Sequence, residues 1–245
     1  MYALLKREIG SFLSSLTGYL VIIVYLLING LFLWVIPQQF NIFDYGFATL
    51  DNYFTLAPWV FMFLIPAITM RSFSDEYKSG TIEILYTKPL KISDIIISKY
   101  LAGAILVLVA LIPTFIYYIT VYSLALPKGN MDAGGTWGSY TGLFFLGLSF
   151  TAIGIFASAV SKNQVISFLL GFFLCGIFYI GFTFFTNLTA WGTIALFIEK
   201  LSISAHYNDM SKGVISTKDI IYFLSVIAFF LLLTQYIIQR KREAL

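Results

Sequence analysis

Residues 71–99 read RSFSDEYKSGTIEILYTKPLKISDIIISK, and the placement of this stretch decides the fold. It is the one long polar island in a chain otherwise built of membrane-length apolar runs. It holds nine of the 27 charged residues (15 basic plus 12 acidic): Arg71, Asp75, Glu76, Lys78, Glu83, Lys88, Lys91, Asp94 and Lys99. Charges at the centre of a bilayer are expensive, so the island belongs in water, between two helices that cross a membrane. Its middle, Gly80–Thr87, fits two helical turns on which Ile82, Leu85 and Tyr86 share one face at i, i+3, i+4 spacing. Pro89 ends that element, because the residue before a proline is pushed away from helix. A short helix with one apolar face, presented to water, is shaped to dock into another protein.

Working outward, composition sets the class. Hydrophobic residues make up 59% of the chain and charged ones 11%, against about half and about a quarter in soluble domains. An ordinary soluble domain is excluded, and the net charge of +3 gives no reason to expect a nucleic-acid partner. The single cysteine, Cys175, lies inside an apolar run, so neither an internal disulfide nor a cysteine metal site is expected. No phosphate-binding Gly-x-x-x-x-Gly-Lys-[Ser/Thr] loop, HExxH or Cys-x-x-Cys motif occurs, which leaves no catalytic, cofactor or metal-ligating constellation. The one histidine, His206, falls in an outer loop near Asp209 and reads as a surface residue.

Six apolar runs follow one another: 17–36, 52–70, 100–126, 140–160, 165–185 and 220–239. Each is long enough for a hydrocarbon core about 30 Å thick. The expected fold is therefore all-α and polytopic, a single membrane domain over 1–245 with a polar loop at 71–99. No Asp, Glu, Lys, Arg or His falls inside any of the six runs. Ion-coupled pumps keep such residues at membrane depth, so their absence argues against a six-span secondary transporter. Pro58 and Pro66 predict a kink in span two, and Pro113 interrupts span three. Ser93 fits the N-cap of the helix entering span three, with Asp94 in its first turn. Residues 127–139, PKGNMDAGGTWGS, read as turn. The Gly154-x-x-x-Ser158 pair in span four permits close helix contact.

Two flanking segments carry amphipathic patterns. In MYALLKREIGSFLSSL, residues 1–16, the side chains Leu4, Leu5, Ile9, Phe12, Leu13 and Leu16 form an apolar stripe. Lys6, Arg7 and Glu8 lie elsewhere on the wheel. This predicts an interfacial helix lying on the membrane, or a simple lead-in to span one. A cleaved signal does not fit, because the apolar run that follows is too long and no small-x-small site closes it. In the outer segment 186–219, Trp191, Ile194, Ala195, Ile198 and Leu201 repeat at helical spacing, predicting a short outer interfacial helix before a polar stretch, Ser202 to Asp219.

Basic residues set the orientation. The island, both ends and the 161–164 turn carry 11 of them, Lys6, Arg7, Arg71, Lys78, Lys88, Lys91, Lys99, Lys162, Arg240, Lys241 and Arg242. The other side carries four: Lys128, Lys200, Lys212 and Lys218. The bias predicts cytoplasmic termini and a cytoplasmic island.

The pattern Glu76-x-x-x-Gly80-Thr81-x-Glu83-x-Leu85-x-x-x-Pro89-Leu90, followed by Asp94 and Ser98-Lys99 leading into a span, resembles the cytoplasmic loop of ABC-2 type permeases. That resemblance implies a coupling helix between spans two and three that contacts a separate ATPase. Its interface residues would be Glu76, Gly80, Thr81, Ile82, Glu83, Leu85, Tyr86 and Pro89, with Glu76 and Glu83 pairing with basic groups on or near the ATPase. It implies no cofactor in this chain, since ATP is bound by the partner. It also matches the amphipathic helix before span one and re-entrant helices between spans five and six. Within the family the likeness is nearest to the GldF-type permeases of gliding bacteria, on the layout and on HYNDMSKGVISTKDIIYF, residues 206–223. That likeness implies a GldA-like ATPase, a GldG-like second membrane subunit or a second copy of this chain, and export across the inner membrane linked to gliding motility. A membrane scaffold or anchor without its own path, and a six-span secondary transporter, remain the alternatives from sequence. A lipid enzyme would need clustered carboxylates or histidines at one interface, and the nearest cluster, Asp75-Glu76, has no glycine-rich phosphate-binding partner.

Overall fold

Six helices of the computed structural model, which describes residues 2–14, 16–83, 91–184 and 198–243, are long and apolar enough to cross a membrane. In chain order, α1 (Tyr2–Ser14) precedes α2 (Leu16–Gly30), which runs on through a widened turn over Leu31–Val35. A short α3 (Ile42–Tyr45) leads to α4 (Asp51–Thr69) and α5 (Arg71–Ser79). Then come α6 (Ile92–Leu111), a tight turn over Ile112–Thr114 that contains Pro113, and α7 (Phe115–Leu124). The remaining elements are α8 (Ala133–Val160), α9 (Gln164–Gly176) with a widened turn over Ile177–Gly181, α10 (Ile203–Ser211) and α11 (Thr217–Glu243).

The bundle is organised around α8. Small residues along it let α4, α6, α9, α10 and α11 all pack against it. The spans built on α4, α6 and α8 are 56–72% buried, whereas those on α2, α9 and α11 are 22–28% buried and turn most of their surface outward. Four hydroxyl groups join the inner spans to one another and to α2. Tyr25 and Tyr53 are hydrogen-bonded at 2.8 Å, Tyr53 donates to Thr114 Oγ1 at 3.2 Å, and Tyr140 donates to the Thr114 carbonyl at 2.9 Å. Such bonds hold membrane helices together where apolar contact with lipid is as good as contact with protein.

The spans agree with the sequence expectation, and their ends differ from it in four places. Residues 71–79 are helical rather than loop. Pro58 and Pro66 lie inside an unbroken α4, and the turn comes after them, at Met70. The cap of α6 is Lys91, in extended conformation, and not Ser93, although Asp94 does sit in the first turn. Span four begins seven residues early, inside the segment expected as turn, because Asp132 accepts from Gly135 N at 2.9 Å and caps it.

The fourth difference is α10, which occupies the stretch expected to be polar. Ile203, Tyr207 and Met210 recur at i, i+4, i+7 and are buried, a helical stripe hidden by its polar neighbours. His206 is on this helix and is not a lone surface residue. Its Nδ1 lies 2.7 Å from Asp219 Oδ1 and its Nε2 lies 2.9 Å from the Lys200 carbonyl, while the ring stacks on Tyr222 at 3.9 Å. Asp209, the neighbour expected from sequence, pairs with Lys212 instead. Of the predicted outer stripe, Trp191, Ile194 and Ala195 lie outside the described residues, Ile198 is half-buried and Leu201 is exposed.

Candidate functional site

The charged end of the bundle is built around the turn at Met70. There α4 stops and α5 continues, and the backbone groups freed by the turn meet one hydroxyl. Ser158 Oγ of α8 donates to the Met70 carbonyl at 2.8 Å and accepts from Phe73 N at 2.9 Å and Ser74 N at 3.1 Å. One donor and two acceptor sites are all a hydroxyl has, and Ser158 is fully buried. Gly154, one turn earlier, makes the approach possible: a Cβ there would lie 2.0 Å from Thr69 Oγ1. The Gly154-x-x-x-Ser158 spacing is thus an intrachain contact that fixes where span two ends.

Beyond the turn, α5 buries Phe73 in a second apolar core with Ile82, Ile92, Ile95, Ile96, Ile155, Ala159 and Ile238. Gly80 ends α5 at φ +71°, a left-handed conformation that glycine adopts without strain. The chain then re-enters helix over residues 81–83, which places Ile82 inward at 4% exposure and leaves Thr81 and Glu83 in the open.

Charges lock this end. Lys99 of α6 is 4% exposed, and its Nζ lies 2.9 Å from Glu76 Oε1 on α5 and 3.3 Å from Glu8 Oε1 on α1. It also stands 5.2 Å over the Phe73 ring. Asp75 accepts a hydrogen bond from Gln164 Nε2 of α9. On the other flank Lys241 of α11 donates to the carbonyls of Ala159 and Val160, at 2.7 and 3.0 Å, and lies 4.3 Å over the Tyr77 ring. Basic groups satisfy the free carbonyls at a helix C-terminus in this way. So α1, α5, α6, α8, α9 and α11 are tied into one platform, from which residues 78–83 project.

Among the residues expected at an interface, the structure separates two roles. Glu76 is engaged inside the chain by Lys99, and Ile82 is part of the second core. Gly80, Thr81 and Glu83 stand exposed at the tip beside Lys78 and Ser79. Leu85, Tyr86 and Pro89 lie outside the described residues. The bracing residues Glu8, Lys99, Ser158 and Lys241 were not foreseen as a unit. Ser158 carried a signal as one half of a small-residue pair and Lys99 as the end of the loop pattern, but neither pointed to the brace.

A six-span helical bundle with an ion-paired platform at one end defines a multi-pass membrane protein. Residues 38–241 match the sequence model of the ABC-2 family transporter protein, from the loop after span one to the basic tail. The chain belongs to that family and is the membrane subunit type of an ABC transporter, a family that implies an ABC ATPase partner. A search of the curated proteins finds no match.

Proposed function

We propose that this chain couples ATP hydrolysis on a separate ABC ATPase to export across the bacterial cytoplasmic membrane, with its charged end and both termini in the cytoplasm. The observation that carries this reading is the tip at 78–83, exposed at every position but the inward Ile82 and mounted on a platform braced to five other helices. A tip fixed in this way transmits a push to spans two, three and four together, whereas a loose loop would absorb it. In this reading Glu83 pairs with a basic group on the ATPase beside Thr81 and Gly80. Leu85 and Tyr86 supply the apolar anchor, since interfaces draw most of their energy from a few such residues, and Pro89 ends the element. Glu76 acts from behind as the brace to Lys99. The 11-to-4 distribution of basic residues supports the orientation.

The finer assignment is to a GldF-type role. The chain would work with a GldA-like ATPase and with a GldG-like membrane subunit or a second copy of itself, in support of gliding motility. The outward-facing spans on α2, α9 and α11 leave room for a second membrane subunit. A tagged chain purified from its native membrane should bring down an ABC ATPase. The double variant Leu85→Asp/Tyr86→Ala should lose that ATPase while the membrane domain keeps its unfolding temperature. An ATPase that stays bound and active on the double variant would refute the docking face.

A further inference from the structure

Between α1 and α5, at the end of span two, lies a cleft of about 250 Å³. We propose that it holds the headgroup of phosphatidylethanolamine, with the phosphate on Arg7 and Arg71 and the ammonium on Glu76. This goes beyond the transport reading and requires only that the chain sit in a membrane.

The charges lining the cleft are three basic, Arg7, Arg71 and Lys99, and three acidic, Glu8, Asp75 and Glu76. Most of them are spent within the protein. Lys99 is held by Glu8 and Glu76, and Asp75 accepts from Gln164. What remains is complementary. Neither guanidinium has a carboxylate partner among the described residues, and Glu76 Oε2 is buried with no hydrogen-bond partner. A buried carboxylate oxygen without a donor is costly. The cleft therefore calls for an anion for the two arginines and a proton donor for Glu76, carried by one ligand.

A phosphate with a primary ammonium two carbons away has that chemistry. Guanidinium groups take phosphate oxygens in pairs, and an ammonium offers three N–H donors. A choline headgroup has no N–H to give Glu76. A headgroup with phosphate alone would set a second negative charge beside Oε2 and leave it unpartnered. The location favours lipid as the source. The cleft opens between an amphipathic helix of interfacial type and the polar end of a span, where headgroups lie, and Phe12 forms part of its wall.

The test is native mass spectrometry of the full chain released from vesicles of equal parts phosphatidylethanolamine, phosphatidylcholine and phosphatidylglycerol. The expected result is one phosphatidylethanolamine retained per chain, favoured over phosphatidylcholine by on the order of tenfold, the effect of one charge-assisted hydrogen bond. Arg7→Gln/Arg71→Gln leaves the Lys99 ion pairs intact and should abolish retention. Glu76→Gln, checked for an unchanged helical spectrum, should still retain lipid and lose the preference for the ethanolamine headgroup. Equal retention of the three lipids, or retention that the arginine variant does not reduce, would overturn the proposal. So would displacement of the lipid by an excess of soluble phosphoethanolamine, which would reassign the site to a free small molecule.

Discussion

Lys99→Met will destabilise the folded chain by about 3–5 kcal/mol, the cost of leaving buried charge without its partner. The substitution keeps the length of the stem and removes only the ammonium, so packing against Phe73 survives while Glu76 and Glu8 lose their cation. Thermal unfolding in detergent, followed by helical circular dichroism, measures the loss. Glu8→Gln should cost less than Glu76→Gln, because its contact with Lys99 is longer, 3.3 Å against 2.9 Å. Combining Glu8→Gln, Glu76→Gln and Lys99→Met should recover much of the stability, since removing all members of a buried ionic group is often close to neutral. A Lys99→Met chain as stable as the parent would mean that water screens the triad.

The second large effect falls on the contact between spans two and four. Gly154→Leu will destabilise by about 1–3 kcal/mol or more through overpacking, because the first added carbon already lies 2.0 Å from Thr69 Oγ1 and 3.0 Å from Thr69 Cβ. Relief requires α8 to move away from α4. That movement pulls Ser158 from the Met70 turn and strips the Phe73 and Ser74 amides of their acceptor, while the Met70 carbonyl keeps only the Ser74 hydroxyl. The damage should therefore reach past packing to the mounting of the 78–83 tip. Gly154→Ala combined with Thr69→Gly removes the clashing atoms and should be more stable than Gly154→Ala alone, a coupling that a double-mutant cycle of unfolding temperatures reads directly.

The sequence showed the spans clearly because each is an uncharged run long enough to cross a bilayer, a signal that needs no partner to interpret. The family pattern around Gly80 and Glu83 was equally plain, being local. What sequence could not show is held by residues far apart in the chain. Lys99 looked like a loop charge before span three, and nothing near it announced Glu8, 91 positions away. Residues 71–79 looked like loop because their composition is polar. They are helical because Ser158 satisfies the turn and Phe73 finds an apolar core built from four other helices. The stripe on α10 was present in the spacing of Ile203, Tyr207 and Met210 and was obscured by the polar residues between them. Ile82, by contrast, fitted an exposed apolar face on spacing, and its burial depends on α6, α8 and α11, which spacing does not reveal.

The central claim is that the exposed tip meets an ATPase on the cytoplasmic side. Glu83→Cys tests it most directly, because the only other cysteine, Cys175, is buried. With a short cysteine-to-lysine cross-linker applied to opened membranes, position 83 should join the chain to an ABC ATPase, and a membrane-impermeant maleimide applied first to intact cells should leave that yield unchanged. A position 83 that is blocked from outside, or that cross-links to no ATPase, would contradict the account.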